Sequence, residues 1–88
     1  DNKKLLLDGD LLYIEDNKGR RRINLGNMDG AFVFQIFNQL SEKTIEMDDD
    51  GNVTITGVFA TGTDKNARTV IDKNGIQSYD ADGNKIVV

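Results

Sequence analysis

Apolar and polar positions alternate most cleanly between Thr44 and Gly57, in the stretch TIEMDDDGNVTITG. Ile45 and Met47 interleave with Thr44 and Glu46, and beyond an Asp/Gly cluster Val53 and Ile55 interleave with Thr54 and Thr56. A period of two marks strands with one face covered and one wet, so the stretch predicts a β-hairpin over 44–57. The same pattern selects the turn. A two-residue Asp50-Gly51 loop would set Met47 against Thr54 and Ile45 against Thr56. A three-residue loop, Asp49-Asp50-Gly51, sets Met47 against Val53 and Ile45 against Ile55, with Gly51 in the left-handed position of a type I turn plus bulge. A one-residue slip would exchange the two faces, so the three-residue loop is expected.

The remaining chain reads as further short strands between turn signals. Lys3 to Glu15 predicts a hairpin turned at Asp8-Gly9 as type I′, with Leu6 opposite Leu11 and Leu5 opposite Leu12. Glu15 to Gly19 is a turn cluster, Arg20 to Leu25 a strand, and Gly26 to Gly30 a break. Ala31 to Leu40 (AFVFQIFNQL) can be read two ways. As a helix it carries Val33, Phe37 and Leu40 on one stripe. As a strand it sets Phe32, Phe34 and Ile36 on one face and Val33 and Phe37 on the other. Aromatic and β-branched residues lose rotamer freedom in helices, which favours the strand. Val58 and Phe59 are expected to continue the central strand, and Thr61 to Asn66 to form a polar loop. A last meander over 68–88, turned at Asn74-Gly75 and Asp82-Gly83, would bring Val70, Tyr79 and Ile86 into one row and Ile71, Ser78 and Val87 onto the other face. A three-residue loop is also open at the last turn.

The total is about nine short strands holding roughly half the residues, well above the usual strand share. The fold class expected is therefore all-β, built of short antiparallel hairpins and meanders. Two segments are expected: an N-terminal hairpin segment over 1–30, and a β-repeat segment over 31–88. One phrase recurs loosely, an acidic residue, a glycine and a small polar residue before an apolar strand, as in DDDGNVTI, DKNGIQSY and DADGNKIVV. Its spacing is irregular, so it is not a strict solenoid.

Composition narrows the chemistry. The 88 residues contain no cysteine, histidine, proline or tryptophan, but nine glycines. Disulfides, thiolate chemistry and a histidine metal site are excluded, and with them the usual base and nucleophile. A net charge of −4 argues against nucleic acid as a partner. No apolar run is long enough to span a bilayer. The chain opens at Asp1 without a methionine, so a piece of a longer protein is expected. Asp48-Asp49-Asp50-Gly51-Asn52 echoes the first half of a calcium loop, but the twelfth position would fall on Gly57, where a bidentate glutamate is required. Asp, Asn and Gly are also what tight turns use, and the turn reading is preferred. Arg20-Arg21-Arg22 is the one basic run. On a strand, Arg20 and Arg22 face one way and Arg21 the other, the pattern of a solvated strand. Two carboxylates could hydrolyse a glycosidic bond, but none sits in a context that would raise its pKa, so a non-enzymatic protein without cofactor or metal is expected. Tyr79, beside a turn, is the aromatic left open for sugar stacking.

The phrases IEMDDDGNVTITGVF and ARTVIDKNGIQSYDADGNKIVV resemble the short Gly/Asp-punctuated β-repeats of minor structural proteins in tailed bacteriophages and related prophages. Such repeats occur in tail-tip, baseplate and fibre proteins. The likeness covers Phe32 to Val88, while the first thirty residues add only a general β pattern. It implies a homotrimeric, intertwined β-rod in the virion tail that positions a host-binding tip. Its partners would be two further copies, other tail proteins and, at the host surface, a glycan. Within that picture Gly9, Gly51, Gly75 and Gly83 set turns, and Phe32, Phe34, Ile36, Phe37, Ile45, Met47, Val53 and Ile55 supply core and trimer contacts. The separate ground for a trimer is that strands apolar on both faces, at 5–7 and 32–37, need cover that one thin sheet lacks. The alternative expectation is a receptor- or carbohydrate-binding module of a phage tail or a bacterial surface adhesin.

Overall fold

The computed structural model describes residues 3–63 and 65–86. Among these residues there are ten antiparallel strands and no helix, so the chain is all-β. The strands form two sheets in two compact units, Asp1–Thr56 and Gly57–Val88.

The first sheet has six strands paired in chain order: β1 (Lys4–Asp8), β2 (Leu11–Glu15), β3 (Arg21–Met28), β4 (Ala31–Phe37), β5 (Lys43–Met47) and β6 (Val53–Ile55). The central hairpin has the register its alternation predicts, with Met47 opposite Val53 and Ile45 opposite Ile55. Gly51 closes it at φ +89°, donating to the Asp48 carbonyl at 3.2 Å. Ala31–Phe37 is a strand. Phe34 sits between Leu25 and Met47, and Ile36 between Ile23 and Ile45, so both sides of β4 offer apolar cross-strand partners that a helix would forgo.

Two expectations about this sheet are corrected. The first hairpin turns at Gly9-Asp10 rather than Asp8-Gly9, pairing Leu6 with Tyr13 and Leu7 with Leu12. Gly9 is at φ +62° and Asp10 is not left-handed, the signature of a type II′ turn. The expected turn would have set Leu7 against Asp10. The observed one matches Leu7 with a leucine and leaves the Asp10 carboxylate to accept from Asn27 Nδ2 at 3.0 Å. Partners move by two residues, so each side chain keeps its face. Gly26 to Gly30 is likewise not a break. β3 runs on to Met28, and Asp29-Gly30 forms a two-residue turn with both residues left-handed, φ 55° and 97°, the type I′ geometry. The division expected at residue 30 therefore falls inside a continuous sheet.

The second sheet contains β7 (Phe59–Gly62), β8 (Arg68–Asp72), β9 (Gly75–Tyr79) and β10 (Lys85–Ile86), again in chain order. The central strand does not continue through Val58: β6 ends at Ile55, and Thr61 and Gly62 belong to β7 rather than to a loop. The β8–β9 turn is Lys73-Asn74, which sets Ile71 against Ile76 and Val70 against Gln77. The expected row of Val70, Tyr79 and Ile86 does not form, because the Asn74-Gly75 turn behind it would face Ile71 with Ser78. The last turn takes three residues, Ala81-Asp82-Gly83, and sets Tyr79 against Lys85 and Ser78 against Ile86. Val87 lies outside the described residues.

Candidate functional site

Register turns the six short alternations of the first sheet into two continuous rows on one face. One row runs Leu5, Ile14, Ile23, Ile36, Ile45, Ile55, and the other Leu7, Leu12, Leu25, Phe34, Met47, Val53. All twelve side chains are apolar. No hydrophobic residue among the described residues is buried, and Leu7 and Leu25 are 75% and 51% exposed. With strands ~4.8 Å apart and rows ~7 Å apart, the face has a footprint of about 300–400 Å², the size at which an apolar patch marks an interaction surface.

The opposite face carries a polar row at the same level: Tyr13, Asn24, Gln35, Glu46, Thr54. Asn24, at 2% exposure, is the buried residue here. Its Nδ2 donates to Gln35 Oε1 at 3.0 Å, Gln35 Nε2 donates to Glu46 Oε2 at 2.7 Å, and Lys43 Nζ reaches the same oxygen at 2.8 Å. Asn24 Oδ1 has no protein partner. The Lys43 and Gln35 hydrogen bonds hold Glu46 below the usual carboxylate range. The Arg21 guanidinium stacks on the Tyr13 ring, 3.8 Å from its centroid.

The acidic motifs form one repeated turn. In 16–20, 38–42, 48–52 and 80–84 the first residue is Asp or Asn. Its N–H donates to the carbonyl of the fifth residue, and its Oδ1 accepts the N–H groups of the third and fifth. The fourth residue is left-handed: Gly19, Ser41, Gly51 and Gly83. Asp48 is thus engaged as a turn acceptor, with its Oδ2 taken by Asn52 Nδ2 at 3.0 Å, and these bonds from Asn52 lead in lowering its pKa. Asp16 serves the same turn and also binds Arg20 Nε at 2.8 Å, with Arg22 Nη1 at 3.4 Å. Desolvation raises its pKa, but the N–H donors of Lys18 and Arg20 and the Arg20 guanidinium outweigh that and bring it to about 2. Arg20 and Arg22 both reach Asp16, while Arg21 stacks on Tyr13.

Of the eight residues expected to make core and trimer contacts, Phe34, Ile36, Ile45, Met47, Val53 and Ile55 lie together in the two apolar rows. Phe32 stands one level further along the same face, opposite Asn27. Phe37 does not join them: it follows a bulge after Ile36 and pairs with Lys43 on the polar side. Six members of the rows escaped sequence reasoning, in β1 to β3. The run KKLLLDGDLLYIE is apolar at both parities and hides which leucines share a face. The signal that marks them is a polar or aromatic residue between two aliphatics, as in Ile23-Asn24-Leu25 and Ile14-Tyr13-Leu12, repeated in Ile45-Glu46-Met47. Gly9, Gly51, Gly75 and Gly83 all occupy turns or their flanks with positive φ. Tyr79 has the Arg68 guanidinium over its ring, 3.7 Å from the centroid.

No family model, no curated protein and no solved structure matches this chain.

Proposed function

We propose that the chain is a non-enzymatic structural segment of a phage or prophage tail fibre or tail-tip protein, and that it works as a homotrimeric β-rod positioning a host-binding tip. The virion context comes from the resemblance of its turn-and-strand phrases. The mechanical role rests on one observation: the twelve-residue apolar face of the first sheet is left open. Fully burying one Leu or Ile side chain contributes about 1.5–3 kcal/mol, so covering such a face is a strong drive to associate. Further copies of the chain supply apolar faces of matching width. No residue then acts as a reagent; shape is the function.

Two features support a spacer over a glycan-binding module. The first sheet's loops are two or five residues long, too short for the displayed loops that carry most binding sites. Arginines also cover one ring face of Tyr13 and of Tyr79, where a sugar would stack.

The test is solution mass by light scattering at micromolar concentration, for the wild type and for Leu25→Asp/Met47→Asp. A mass three times that of the chain, falling to one chain in the variant, is the expected result. A wild type that stays monomeric, or a specific hit on a glycan array, would reject the reading.

A further inference from the structure

The two ends of the first sheet carry opposite charge. Three turns lie at one end, over 8–10, 27–31 and 48–52, and hold Asp8, Asp10, Asp29, Asp48, Asp49 and Asp50 without one Lys or Arg. The five-residue turns over 16–20 and 38–42, with their flanking strand ends, form the other end. There Lys4, Lys18, Arg20, Arg21, Arg22 and Lys43 outnumber Glu15, Asp16 and Glu42. The apolar rows run between these ends.

We propose that copies of this chain cover one another's apolar faces with their ends opposed, the acidic turn end of one copy lying against the basic turn end of the next. This rests on the self-association proposed above and specifies its geometry. Sheets packed face to face lie ~10 Å apart, about one Debye length at physiological salt, so the charges at their ends act on each other. Acidic end over acidic end would set six aspartates against six. Opposed ends replace that repulsion with attraction. In a cyclic trimer with strands running crosswise to its axis, each copy sets its acidic end against one neighbour and its basic end against the other, so every contact pairs opposite charge. A second copy is the occupant that fits, because one chain holds both the apolar face and the two complementary ends. Complementary charge of this kind fixes orientation and excludes the wrong packing.

The test uses the full chain and changes side chains that take no part in its internal hydrogen bonds. Asp8→Lys/Asp50→Lys brings the acidic end from six negative charges to a net of two, Asn17→Glu/Lys18→Glu cancels the net of three positive charges at the basic end, and the fourfold variant combines both changes. Sedimentation equilibrium at low salt is expected to show dissociation constants raised at least about tenfold in each one-end variant, with the fourfold variant within about threefold of Asn17→Glu/Lys18→Glu, because acidic charge gains nothing from a neutral partner end. Raising salt to about 1 M should narrow these differences. A wild-type oligomer whose one-end variants associate as tightly as it does would overturn the opposed-end packing while leaving self-association standing. A monomeric wild type would instead remove the association on which it rests.

Discussion

Asn24, the buried residue, donates its side-chain amide to Gln35 Oε1 at 3.0 Å across β3 and β4, in the middle of an otherwise wet face. Removing Gln35 leaves a buried donor without an acceptor, a cost of about 1–3 kcal/mol. Asn24→Ala, Gln35→Ala and the double variant should show a coupling of about 0.5–1.5 kcal/mol in urea denaturation. Additive effects would mean that the bond contributes nothing.

Ser41 stands at φ 62° in the position that Gly19, Gly51 and Gly83 hold in the equivalent turns. A side chain there is strained, so Ser41→Gly should stabilise the fold by about 0.5–1 kcal/mol, while Gly51→Val should cost about 1–2 kcal/mol. Thermal unfolding of both variants reads the opposite signs directly.

Gly26 lies in β3 at φ +133°, where an added Cβ would run into the Asp10 carbonyl oxygen. That oxygen accepts the Asn27 N–H at 3.0 Å, so it cannot move away without breaking the bond. Gly26→Ala should cost more than the ~1 kcal/mol typical of a point substitution and should detach β1–β2 from the sheet. Faster amide exchange over 4–15, with 43–55 unchanged, is the expected pattern.

Asp16 supplies an acid-sensitive contribution. Its carboxyl is lowered from 3.8 to about 2, so the stabilisation is fully present above pH ~4 and is lost as pH falls towards 2. Asp48 and Glu46 are lowered too and act in the same direction. Asp16→Asn keeps the turn acceptor, as Asn38 does in 38–42, but removes the titrating group. Its stability should fall less between pH 4 and pH 2 than that of the wild type, measured by urea midpoints across that range.

Phe34 sits at the centre of its apolar row, between Leu25 and Met47. If copies of the chain cover that row, Phe34→Ala should lose about 3–5 kcal/mol, because the cavity opens inside a packed interface. The wild-type melting temperature should also rise with protein concentration. A concentration-independent melting temperature would contradict the closed face.

Local chemistry was legible wherever one residue choice had one geometric solution. Alternation around Asp49-Asp50-Gly51 left a single register that kept Met47 with Val53, and the aromatic and β-branched run at 31–37 gave a strand. Turns with two solutions were not legible. Gly9 serves a type II′ turn with Asp10 or a type I′ turn with Asp8, and the pairing of Leu7 with Leu12 decides between them. Ser41 hides a turn of the Asp16 type, because its left-handed backbone is imposed by the Asn38 hydrogen bonds and not by its own side chain.

By itself, then, the sequence determined the all-β class, the acidic turns and the absence of any thiol or imidazole chemistry, since these depend on side-chain type and on spacing within a few residues. Only the tertiary structure decided that six separate alternations share one register. Cross-strand pairing is what aligns Leu5 with Ile55 five strands away, turns scattered aliphatics into a continuous open face, and gathers aspartates from three distant turns at one end of it.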